Sequence, residues 1–166
     1  MAKARKKVQP RKKAAARKRD ARRNTRPKAA RAAGQARRRR KQTVAISHYA
    51  ESDFDSGLRA YSAYRDLGVA KASGGQVRAH VIRMTRPFDG GEVAVPHYHD
   101  VEFQMVYVLK GWFETDLDGH GPVRMHAGSS WTQPPRIKHT VTGYSDDCEL
   151  LEIILPADFD TVTLKK

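Results

Sequence analysis

The reading of residues 91–111, GEVAVPHYHDVEFQMVYVLKG, decides the fold, and residues 128–139, GSSWTQPPRIKH, answer it further along the chain. His97 and His99 stand two apart in an extended run, and because strand side chains alternate, both imidazoles project from one face. The chain then turns at Asp100 and Val101 and enters an apolar run, residues 103–109, in which Gln104, Val106 and Val108 share a face. Pro134, Pro135 and Arg136 form a rigid turn, after which His139 brings a third imidazole. A lone histidine is most often a hydrogen-bonded core residue; three that converge form a metal donor set.

Short strand-like runs surround these stretches: residues 76–85, 103–110, 112–117, 123–126, 130–133, 139–144 and 149–155. Turn chemistry separates them, at Gly74-Gly75, Gly111, residues 118–121, Ala127-Gly128, Pro134-Pro135 and residues 145–147. Many short strands with regular turns predict an all-β antiparallel barrel or jelly roll. Residues 43–75 are ambiguous. Phe54, Leu58, Tyr61, Tyr64 and Leu67 fit a helical period, whereas Arg59, Tyr61, Ala63, Arg65 and Leu67 fit an alternating strand.

Charge divides the chain. Residues 1–42 hold 20 Lys and Arg against the single acid Asp20, while the remainder carries 12 basic and 17 acidic residues, so the overall +14 belongs to the tail. That tail has no Ile, Leu, Phe, Tyr or Trp and cannot bury enough apolar surface to offset its ordering entropy. The expected organisation is a disordered tail at 1–42, a connecting segment at 43–57 and a β-barrel domain at 58–166. The tail suits nonspecific contact with nucleic acid phosphates or another polyanion; a solubilising tail or an address signal is the plainer alternative. No apolar run approaches the roughly 18 residues of a membrane span, and the N-terminus lacks the apolar middle of a secretory signal. A cytoplasmic protein without a membrane partner is expected, with a nucleic-acid-associated or targeted pool where the tail acts. The single Cys148 excludes an internal disulfide framework and reads as a half-buried strand thiol.

The two opening stretches resemble the paired motifs of the cupin superfamily of small β-barrels, over residues 58–160. The family's first motif runs Gly, five residues, His-x-His, three or four residues, Glu, six residues, Gly. Gly91, His97, His99 and Gly111 match it, with Gln104 in the place of the Glu. In the second motif Gly128, Pro134 and His139 match, while Arg136 stands for a Gly and Gly143 for an Asn. The resemblance implies a cupin-like jelly-roll barrel and favours an extended edge segment ending near Gly68. It also implies a divalent transition metal (Fe, Mn, Ni, Cu, Co or Zn) at His97, His99 and His139, with Gln104 as a neutral amide ligand.

Neutral ligands would leave the ion its full +2 charge, favouring an anionic ligand, and replacing Gln104 by Glu is expected to tighten metal binding. Glu102 shares strand parity with Gln104 and is a second candidate near the ion, though a solvated turn carboxylate is its plainer reading. The pocket wall is expected from Val95, Val106, Val108, Met125, Trp131 and Val141, with His80 as a wall or supporting group. His120 reads as a turn residue and His126 as a strand surface residue. The opposite face of residues 103–109 is also apolar, and in cupin-like barrels such a face packs on the second sheet or on a partner, so a homodimer is expected. Two functions compete: a metal-binding module for a small molecule, and a metal-dependent enzyme of dioxygenase or isomerase type acting on an anionic or enolizable substrate. The second lacks an evident general acid or base in the sequence.

Overall fold

The computed structural model describes residues 41–57 and 59–165. The tail expected to be disordered therefore lies outside the described residues, apart from Lys41 and Gln42, which are exposed and in no regular element.

Among the described residues the chain forms two antiparallel sheets. The larger has the order β1 (Asp55–Ser56), β2 (Ser62–Asp66), β3 (Arg78–Met84), β10 (Glu149–Leu155), β5 (Phe103–Lys110) and β8 (Ser130–Gln133). The smaller has the order β11 (Asp160–Thr163), β4 (His97–Asp100), β9 (His139–Tyr144), β6 (Trp112–Leu117) and β7 (Gly121–His126). Two single-turn helices, α1 (Val69–Ala72) and α2 (Gly90–Val93), join strands. The sheets face each other as a cupin-like jelly roll, and five of the strands read from the sequence coincide with β5, β6, β8, β9 and β10 to the residue.

The ambiguous segment resolves as strand, because β2 gains a full antiparallel ladder with β3, Tyr64 lying opposite Ile82. It does not lie at the sheet edge: β1 pairs outside it, Asp55 opposite Tyr64. Residues 43–57 dock on the domain. The Thr43 N–H donates to Ala72 O at 3.0 Å, and the Arg65 guanidinium donates to Ser47 Oγ at 2.9 Å and to His48 O at 3.1 Å.

The core lies between the sheets, with Val106 and Val108 of β5 meeting Phe113 of β6 and Met125 of β7. Val108 is fully buried, and each such side chain contributes about 1.5–3 kcal/mol relative to its exposed state. The second sheet covers this face of β5; the opposite face stays outside, with Phe103 39% and Leu109 43% exposed. Two positions explain their residue types. Gly111 takes φ +68, and a Cβ there would lie 2.0 Å from Ser145 Oγ. At Gly143, where the family motif has Asn, a Cβ would lie 3.0 Å from the Trp112 ring, which is itself stacked by Arg124 at 4.0 Å.

Cys148 differs from its expected half-buried strand position: it sits in the turn before β10 with no exposed surface. Burial, reinforced by the charges of Asp147 and Glu149, pushes its thiol up to about 12. The native protein should therefore resist a thiol reagent at pH 8 and be labelled only on denaturation. Rapid stoichiometric labelling of folded protein would contradict this packing.

Candidate metal centre

The smaller sheet carries the three histidines. Alternation along β4 turns His97 and His99 to the same side, and His139, the first residue of β9, is the ladder partner of His97. Ring centroids are 4.3 Å apart for His97 and His139, and 5.1 Å for the pairs His97–His99 and His99–His139. One ring nitrogen from each lies within 4.8 Å of the others.

Backbone acceptors set two of the tautomers. His97 Nδ1 donates to Val95 O at 2.8 Å and His139 Nδ1 to Ile137 O at 3.0 Å, since a carbonyl only accepts. Both Nε2 atoms are thereby left unprotonated, the form a metal requires. His99 Nδ1 is 2.9 Å from Thr161 Oγ1. Burial holds all three imidazoles down at about 4, so they are neutral at physiological pH.

The turn delivering His139 is latched to β4. Arg136 adopts φ 62, the left-handed region that suits the Gly of the family motif. Its N–H donates to His99 O at 3.1 Å, and its guanidinium grips both oxygens of Asp100 at 2.9 Å. A residue that departs from the motif thus ties the second stretch to the first.

The larger sheet supplies a facing polar row. Gln104 is 2% exposed; its Nε2 donates to Glu152 Oε1 at 2.6 Å, while its Oε1 is buried without a hydrogen-bond partner. The other Glu152 oxygen is 2.6 Å from His80 Nε2. Burial raises the Glu152 carboxyl, but the hydrogen bond and attraction of His80 and the Gln104 amide outweigh it and hold it below its ordinary value. Trp131 Nε1 donates to Gln133 Oε1 at 3.0 Å, which turns the Gln133 amide nitrogen to within 3.2 Å of His139 Nε2. Gln133 therefore occupies the lone pair that a metal would take, and loading would displace it.

These groups line a cavity of about 460 Å³ between the sheets, whose walls include Ile82, Val106, Phe113, Trp131, Val141 and Leu150. His80 lines it as well. Of the other expected wall residues, Val95, Val108 and Met125 are not part of the lining. Val108 and Met125 are in the packed core, and Val95 precedes β4 and contributes its carbonyl to His97. Glu102 is exposed in the turn before β5 and does not reach the cavity, so strand parity does not extend to it. Glu152 and Gln133 were not singled out from the sequence. A signal for Glu152 was present: it lies between Leu150 and Ile154 on the inward face of β10, where an unpaired carboxylate would be costly.

A family model described as Cupin domain matches residues 87–154. Solved structures share the fold: KdgF from Halomonas sp. is 21% identical with TM-score 0.52, covering 66% of this chain and 94% of that one. The polyketide cyclase RemF from Streptomyces resistomycificus is 17% identical with TM-score 0.55, covering 73% of this chain and 87% of that one. A salicylate 1,2-dioxygenase from Pseudaminobacter salicylatoxidans is 10% identical with TM-score 0.52, covering 66% of this chain and 32% of that one. No curated protein matches the sequence. The matched stretch contains both motifs and spans strands of the two facing sheets, so residues 87–154 are similar to a Cupin domain in sequence and the described residues share its fold.

Removing the Glu152 carboxylate strands His80 and the Gln104 amide inside the barrel. Glu152→Ala should destabilise the protein by about 3–5 kcal/mol in denaturant titrations. A loss under about 1 kcal/mol would mean that the row is not the buried network described.

Proposed function

We propose that this cupin-like domain holds a divalent transition metal at His97, His99 and His139, with Gln104 Oε1 as a neutral fourth donor, and binds a small organic molecule in the adjoining cavity. The carrying observation is the convergence of three neutral imidazoles in the wall of a cavity between the sheets that has both apolar and polar lining. The donor set fits a borderline transition ion, and the orphaned Gln104 Oε1 fits a cation acceptor. Such an ion would polarise an oxygen of the bound molecule. The protein supports this by fixing Nδ1 of His97 and His139 on carbonyls, by excluding water with Val106, Phe113, Trp131 and Val141, and by keeping the imidazoles uncharged.

Glu152 and His80 favour a second reading, a metal-dependent enzyme. Both line the cavity and are hydrogen-bonded to each other at 2.6 Å, which supports an acid–base role for them, and proteins of this fold include a cyclase and a dioxygenase. The exposed Phe103 and Leu109 on the outer face of β5 support a homodimer formed through that face. No helix among the described residues is long and apolar enough to cross a membrane.

Protein purified without chelating resin should carry close to one metal per chain by elemental analysis. His97→Ala and His139→Ala should lose it while keeping the β spectrum, and stoichiometric metal in both variants would defeat the assignment. For the tail we propose nonspecific contact with nucleic acid phosphates. Full-length protein should bind duplex DNA with an affinity that falls steeply with salt, about 0.9 counterion leaving per phosphate neutralised. A chain lacking residues 1–42, with a net charge of −5, should remain folded and fail to bind. Equal, weak binding by both would remove this role.

A further inference from the structure

We propose that Glu152 is the carboxylate of this site, relocated to the neighbouring strand from the position of the motif Glu, and that it acts through Gln104 as a positioning residue. The inference rests on the metal reading above and follows from the register of the larger sheet. Gln104 pairs with Ile154 across β5 and β10, so Glu152, two residues earlier on β10, lies diagonally beside it on the same inward face. The contact is a charge-assisted hydrogen bond of 2.6 Å from the amide nitrogen to Glu152 Oε1.

Two consequences come from that bond. An amide can present either oxygen or nitrogen to the cavity; Glu152 takes the nitrogen, so the atom left over is Oε1, the one able to ligate a cation. The negative charge absent from the ligands is also restored one hydrogen bond further out, and its field reaches His97, His99 and His139. An ion here would not present the unreduced +2 that the sequence implied. His80, the ladder partner of Glu152, anchors the far oxygen and holds the carboxylate in place.

Gln at 104 is then the complement of Glu at 152 and not a decayed motif. The expectation that Gln104→Glu alone tightens metal binding is reversed, because the change sets two carboxylates at the 2.6 Å separation now spanned by a hydrogen bond. Exchanging both residues restores an acceptor facing a donor.

The test is a double-mutant cycle of Gln104→Glu, Glu152→Gln and the two combined, read by thermal midpoints of metal-stripped protein and by cobalt(II) titration. The visible absorption of cobalt(II) reports its ligand sphere. Each single change should weaken cobalt(II) binding, Glu152→Gln by about 10–100-fold as for other groups that orient a ligand, and should alter the absorption. Gln104→Glu should also lower the midpoint. The double variant should recover the midpoint and bind cobalt(II) within a few-fold of the parent. Unchanged affinity and spectrum in Glu152→Gln, or losses in the double variant equal to the sum of the singles, would overturn the proposal. A parent protein that takes up no cobalt(II) would overturn the metal reading instead, and the midpoints of the four metal-free proteins would still decide whether 104 and 152 form the complementary pair.

Discussion

The Glu152 carboxylate, gripped at 2.6 Å on one oxygen by His80 and on the other by Gln104, is the contact on which the inner face of the larger sheet depends. A charge between two sheets is tolerated only when paired and hydrogen-bonded, and meeting that demand fixes a side chain on each of three adjacent strands. Gln104 and the histidines of the facing sheet line the same cavity, so its polar lining is assembled from both layers. The apolar remainder of the cavity follows from the same alternation, which turns Val106 inward two residues after Gln104.

The departures from the cupin motifs have local causes of this kind. Arg136 accepts a left-handed backbone, and its guanidinium meets Asp100 across the turn. Gly143 leaves room for Trp112, whose ring lies 3.0 Å from where a Cβ would be. Gln104 answers Glu152. In each case the substituted residue is understood through a neighbour distant in sequence, which explains why the motifs alone make these positions look degraded.

The strands and the three histidines were legible in the sequence because their signals are local: alternation, turn residues and the spacing of His97, His99 and His139. The segment from 54 to 67 was not, since Tyr61 and Leu67 satisfy both periods and only the ladder with β3 selects strand over residues 62–66. Glu102 takes its plainer reading, an exposed turn carboxylate, because parity ends where the turn begins. Glu152 went unremarked because its partners lie 48 and 72 residues away, and register between strands, on which such a contact depends, is not written in either strand alone.

Anomalous diffraction from crystals of the metal-loaded protein tests the central claim most directly. The account predicts one strong peak about 2.0–2.1 Å from a ring nitrogen of each of His97, His99 and His139, with Gln104 Oε1 turned to it and Glu152 still holding the amide nitrogen. A peak elsewhere on the chain, or a loaded structure in which Gln133 keeps its contact with His139, would contradict it.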